Sequence, residues 1–264
     1  MDKAAGNGPT SGIEPVSFDA GPEAARHLLD RSEIGAVELP RPPLDELPYR
    51  ALVHALLTRP GFKLDFNRLD PDAALALVCD QLLGPGAFAG ARARFAEDIA
   101  ALAAFAGGLV GARASVSIRS YFAPGDTVWH VDRVHEAHAF RLLWPLGRPA
   151  GMRVTSADNV DAPAYRGFMR REFPLLCHLD TRVLRTGAAV EALWLHRPAQ
   201  LAAMISGRFP FLLEPDREWA VAPGAASIHR VQTPVQPGAW HRSSWENRRS
   251  PGLQIVITAA SDSA

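Results

Sequence analysis

The sequence changes character at Ala114. Before it, two alanine-rich stretches, DPDAALALVCDQLLG and GARARFAEDIAALAAFAGGLVG, place their apolar residues three and four positions apart, the spacing of one helix face. After it, ASVSIRSYF alternates. Val116, Ile118 and Phe122 fall on one face with Ser120, while Ser115, Ser117, Arg119 and Tyr121 fall on the other. Helices followed by strands imply an α+β fold in which the helical part is a layer packed on the sheet, not a separately functioning domain.

Other elements fit around this switch. Residues 1–17 are rich in Gly, Pro and Ser with little to bury and are expected to be a disordered leader. FDAGPEAARHLLDRS reads as a helix with Asp19 as its cap, IGAVELPRPP as a short strand ended by prolines, and LDELPYRALVHALLTRPG as a helix closed by Gly61. Beyond Ala114, TVWHVD, AFRLLWPLG and GMRVT are further strands. Helical spacing returns over 162–213, an insertion between strands of one sheet, and LQIVITAAS is the last strand. The organisation expected is a leader at 1–17, a mainly helical layer at 18–113 and a strand-rich core at 114–261.

At 264 residues and 47% hydrophobic, the chain can bury a sizeable core. Lys and Arg total 28, as do Asp and Glu, so no net field attracts a polyanion and no nucleic-acid partner is expected. Cys79 and Cys177 sit in apolar surroundings, neither in a CxxC pair, which argues against a disulfide framework or a zinc knuckle. MDKAAGNGPTSG lacks the apolar run of a secretion signal and no segment is a membrane span, so a cytoplasmic location without membrane contact is expected. No phosphate loop, nucleophile elbow or dinucleotide fingerprint is present.

The chemistry-bearing motif is His130-Val131-Asp132. Residues two apart in a strand project from one face, so an imidazole and a carboxylate can converge on one point. With one further histidine they would make the two-His-one-carboxylate set that binds Fe(II) on one face and leaves other positions open. His-x-Asp alone is weak, since about half of one is expected by chance from nine histidines and sixteen aspartates, and there are two. The strand context favours the first; His178 and Asp180 read as structural, His135 and His138 as surface loop. A proline-rich loop or edge strand, VQTPVQPGAW, delivers His241.

WHVD, then FRLLWPLGRPAGMRV, then QPGAWHRSS before a final strand resembles the double-stranded β-helix (jelly-roll, cupin-like) superfamily of Fe(II)/2-oxoglutarate-dependent oxygenases. Within it, the sequence most resembles an uncharacterised bacterial family, domain of unknown function 1826, over residues 37–258. The resemblance implies a double-stranded β-helix core and His130, Asp132 and His241 as catalytic metal ligands. The 109-residue separation of Asp132 and His241 would accommodate the insertion at 162–213. It also implies an arginine for the far carboxylate of 2-oxoglutarate. Arg249, eight residues after His241, is the first candidate, although the usual place in the last strand holds Gln254. Arg119 and Arg141 are substitutes, and Tyr121 could bond the same acid.

The activity so implied is hydroxylation of a small-molecule or amino-acid-like substrate with molecular oxygen. Trp129, Phe122, Phe140, Trp144, Trp240 and Trp245 are candidates to wall the site. Asp126, Glu136 or Glu246 could orient a metal histidine, and Arg133, Arg242 and Ser243 could face substrate. Three alternatives stay open: an iron enzyme that does not use 2-oxoglutarate, a cupin-like metal-binding or metal-sensing protein without turnover, and structural histidines. Substrate identity and oligomeric state are open as well.

Overall fold

The computed structural model describes residues 12–59, 62–66, 71–121, 129–172, 202–203 and 205–261. Strands β1 (Ile13–Pro15), β2 (Ala36–Leu39), β3 (Phe62–Phe66), β4 (Ser115–Tyr121), β5 (Ala139–Leu146), β8 (Ala226–Arg230) and β10 (Gly252–Ala260) form one sheet in the order β1-β2-β8-β5-β10-β4-β3. All its pairs are antiparallel except β1 with β2. A smaller sheet runs β7-β6-β9, from β6 (Met152–Thr155), β7 (Trp219–Ala220) and β9 (Trp240–Ser243). The helices are α1 (Gly21–Leu29), α2 (Arg50–Leu57), α3 (Pro71–Leu83), α4 (Ala89–Gly108) and α5 (Ala162–Glu172).

Strand parity divides the large sheet into two faces. Val116 and Ile118 of β4, Phe140, Leu142, Trp144 and Leu146 of β5, and Leu253, Ile255 and Ile257 of β10 are buried in one cluster with the helices. Phe95, Ile99, Leu102 and Phe105 of α4 supply its other side at helical spacing. Each such side chain contributes about 1.5–3 kcal/mol by leaving water. The opposite face of the sheet carries Arg119, Arg141, Leu143, Pro145, Ser227 and Gln254, which line a cavity between the sheets.

Several sequence expectations are corrected here. Residues 13–16 do not belong to a disordered leader, because β1 pairs with β2 and Val16 is buried beside it. Asp19 is no cap: Ser17 accepts from the Asp19 N–H at the head of a short 3-10 turn. Helix α2 stops at Leu57 with Thr58 as its cap, and Gly61 lies outside the described residues. The large sheet also takes in β1 and β3, which were not expected from the sequence. No helix among the described residues is long and apolar enough to cross a membrane.

Candidate metal centre

Strand β9 brings His241 against the segment that carries His130. The two residues exchange both backbone hydrogen bonds, His130 N to His241 O and His241 N to His130 O, at 3.0 Å each. Facing residues of such a pair put their side chains on the same side, and the two imidazole centroids stand 4.4 Å apart. Asp132 is held two residues on: Gln232 N donates to Asp132 O at 2.7 Å and Val134 N donates to Gln232 O at 3.0 Å. Gly238 lets the following loop press on this segment, since a Cβ there would stand 2.3 Å from Val131 Cγ1. One ligand atom each from His130, Asp132 and His241 lie within 4.8 Å of one another, the only such cluster among the described residues.

Tautomer logic tests whether a metal ion fits. His241 Nδ1 lies 3.0 Å from Ala239 O, and a carbonyl can only accept, so the ring proton sits on Nδ1. In the neutral ring Nε2 then has no proton, yet it faces Asp132 Oδ2 at 3.4 Å. Burial alone would raise the Asp132 carboxyl, but His229 and His241 outweigh it and hold the group well below the usual carboxylate range. Two lone-pair atoms so placed need a cation between them. A proton or a metal ion would satisfy the pair, and His130 converging on the same place favours the metal ion. Ligands at roughly 2.1 Å from an ion and at right angles stand about 3 Å apart, near the 3.4 Å between His241 Nε2 and Asp132 Oδ2.

A third histidine, missed in the sequence, joins the site. His229 of β8 is fully buried and its Nε2 lies 3.2 Å from Asp132 Oδ2, while Arg141 Nη1 meets Asp132 Oδ1 at 2.6 Å. Burial, then the neighbouring His241, pull the His229 imidazole down to about 4. A readable signal existed. In ASIHR, Ser227 and His229 alternate with apolar Ala226 and Ile228, which marks a polar inner face in a buried strand.

The cavity beside the cluster has a volume of about 240 Å³. Arg119, Arg141, Arg148 and Arg242 reach it, and among the described residues Asp132 is the one carboxylate that does. Arg141 is committed to Asp132. Arg242 donates to both oxygens of Glu218, at 3.3 and 3.1 Å, and is buried over Trp129 and Phe209. Arg148 is fixed from three sides. Its Nη1 donates to Ser243 Oγ at 3.2 Å, Asn247 holds both N and O of Ala150 in the same loop, and Gly252 leaves space where a Cβ would stand 2.0 Å from Arg148 Nε.

Of the residues expected to serve the site, His130, Asp132 and His241 come together, and Arg119 lines the cavity. Tyr121 ends β4 opposite Gly252, and Arg249 ends a 3-10 turn over Trp245–Arg249, but both side chains lie outside what is described. Phe122, Asp126, Cys177, His178 and Asp180 also fall outside. Among the described residues the expected aromatic wall is not found. Phe140 and Trp144 have the parity of the helix-side core, and Trp129, Trp240 and Trp245 pack with Phe168, Phe209 and Phe211. Leu143, Pro145, Met152 and Val221 supply the apolar wall instead. The acceptor that orients His241 is the Ala239 carbonyl, not an acidic side chain. His138 meets Gln236 at 3.4 Å, away from the cluster.

No family model matches the chain, so the likeness to domain of unknown function 1826 finds no support there. No curated protein matches either. Among solved structures, the chain is similar to dioxygenase for auxin oxidation 1 from Arabidopsis thaliana in its binary complex with 2-oxoglutarate. The identity is 11% over 96% of this chain and 93% of that chain, with a TM-score of 0.43. A likeness of that degree decides neither fold nor function.

Proposed function

We propose that the protein is a non-haem Fe(II) and 2-oxoglutarate-dependent oxygenase that hydroxylates a small molecule or amino-acid-like substrate. The observation that carries this reading is the convergence of one ligand atom each from His130, Asp132 and His241 within 4.8 Å, with His241 Nδ1 turned to the Ala239 carbonyl and Nε2 to Asp132. His130, Asp132 and His241 would hold the ion. A bound Fe(II) would let molecular oxygen act as the oxidant, one oxygen atom entering the C–H bond of the substrate as a hydroxyl and the other entering succinate as 2-oxoglutarate loses carbon dioxide.

A double-stranded β-helix is the fold we infer for the core, and strand order supports it. From β4 onward the chain passes between the sheets: β4 in the large one, the His130 segment beside β9, β5 back in the large one, β6 and β7 in the small one, then β8, β9 and β10. The large sheet reads β4-β10-β5-β8 across this core, and the small side reads His130 segment, β9, β6, β7. In a core of two four-membered layers wound in this way, both histidines and the aspartate would lie at one end of the space between them.

The other end suits the far carboxylate of the cosubstrate. Strand register puts Arg119, Gln254 and Pro145 in one row across the cavity floor, and Ser115, Thr258, Arg141 and His229 in another beneath Asp132. Four residues along β10 separate the rows, about 13 Å. An arginine side chain and a five-carbon diacid together fill such a gap. Arg119 lines this end, with Arg148 beyond it over Gly252, and these are the guanidinium groups we assign to that carboxylate. A guanidinium fork binds a carboxylate through paired, charge-assisted hydrogen bonds.

The test is oxygen uptake and succinate release by Fe(II)-loaded protein supplied with 2-oxoglutarate. Slow uncoupled turnover of the cosubstrate is expected even without substrate. Iron bound at one per chain with neither oxygen uptake nor succinate would refute the oxygenase and leave the metal-binding alternative.

A further inference from the structure

We propose that His229 is a positioning residue of the metal centre, holding Asp132 through a donated Nε2–H and not itself a ligand; the inference rests on the metal centre proposed above. His229 and Arg141 are register partners on β8 and β5, so their side chains rise together on the inner face. They divide one carboxylate between them: Arg141 Nη1 takes Oδ1 at 2.6 Å and His229 Nε2 takes Oδ2 at 3.2 Å. The carboxylate plane is thereby set from below, by groups on a strand pair in the middle of the large sheet.

Distance alone does not separate a donor from a ligand, because His241 Nε2 is as close to the same oxygen, at 3.4 Å. The second nitrogen does. His241 has an acceptor for Nδ1–H in Ala239 O, as a ligating imidazole needs if its Nε2 is to be bare. His229 Nδ1 is buried and has no hydrogen-bond partner among the described residues. A proton there would be an orphaned buried donor, costing about 1–3 kcal/mol, and would also leave a bare Nε2 against an anionic oxygen. The tautomer with Nε2–H leaves Nδ1 as a buried lone pair, but it removes the clash with the anionic oxygen and gives Asp132 Oδ2 a donor. A nitrogen that carries its proton cannot bind a metal ion, so two histidines in contact with one carboxylate take opposite roles. His241 is the ligand and His229 the holder.

The test is Co(II) binding to metal-free protein, read by affinity and by the visible spectrum of the saturated form. Outer partners of metal ligands typically carry about 10–100-fold in affinity. His229→Gln puts an amide N–H at the reach of Nε2 and is expected to bind within about threefold of the parent, by the same principle that a retained donor keeps the carboxylate oriented. His229→Asn, whose amide reaches only the Nδ1 position, and His229→Leu are expected to weaken binding about 10–100-fold with the spectrum unchanged in shape. Two outcomes overturn the proposal while leaving the metal centre standing: parental affinity in both His229→Asn and His229→Leu, or a saturated spectrum in the variants showing one nitrogen ligand fewer. A parent protein that binds no Co(II) overturns the metal centre and this inference with it. The Gln and Asn variants carry similar polar groups, so if Leu fails to fold the comparison between them still decides.

Discussion

Gly252→Ala isolates the arginine end of the cavity from the metal end. The new Cβ would stand 2.0 Å from Arg148 Nε and 2.8 Å from its Cδ and Cγ, so the side chain must leave its place, breaking its bond to Ser243. The displaced atoms belong to a flexible side chain, and alanine is easier to order in a strand than glycine by about 0.5–1 kcal/mol, so the net effect on stability should stay within about 1 kcal/mol. Binding should not be spared. A hydrogen bond between charged partners contributes about 1.5–3 kcal/mol, and each 1.4 kcal/mol is tenfold, so 2-oxoglutarate should bind about 10–100-fold more weakly. The assay is calorimetric titration of 2-oxoglutarate into Mn(II)-loaded protein, with Mn(II) affinity measured first. Arg148→Gln should show the same loss, and the double variant little more, since both act on one group. Parental 2-oxoglutarate affinity in Gly252→Ala, with Arg148 demonstrably displaced or absent in Arg148→Gln, would refute the assignment. Loss of metal binding in the same variant would refute the separation of the two ends.

Other consequences are independent of that experiment. Trp144→Ala empties a fully buried site packed against Tyr49 and Phe95 and should cost about 3–5 kcal/mol in urea unfolding. Burial pushes the Cys79 thiol up to about 11, so at pH 8 roughly one molecule in a thousand is thiolate, and peptide mapping should find this cysteine unmodified by iodoacetamide until the protein unfolds. The metal-free protein should lose stability as pH falls. His229 is held neutral down to about 4 when folded but takes a proton near 6.5 when unfolded, so its contribution is complete above 6.5 and lost on the way down to about 4. The loss is about 3 kcal/mol at most, and His229→Gln should flatten that part of the pH profile of unfolding.

The parts of the site that could be read from the sequence were those set by local spacing. His130 and Asp132 are two apart in a strand-like run, and His241 follows a proline-rich loop; neither needs knowledge of the sheet to be found. His229 is different, because its meaning comes from register: it matters only as the partner of Arg141 across β5 and β8. The aromatic wall failed for a related reason. Trp144 is close in sequence to the site, but its parity is that of Phe140 and Leu142, so a one-residue alternation sends it to the helix side. In the N-terminal part, FKLDF carries the period of a strand, but the alanine-rich helices on its C-terminal side dominate the local pattern and obscure β3.

The most direct test of the metal centre is an anaerobic titration of metal-free protein with Fe(II), with and without 2-oxoglutarate, following bound iron and the visible iron-to-keto-acid charge-transfer band. One Fe(II) per chain is expected, with the band appearing only when 2-oxoglutarate is present, and both should be lost in Asp132→Ala and His241→Ala. Iron that fails to bind, or that binds equally well in those two variants, would contradict the assignment of His130, Asp132 and His241.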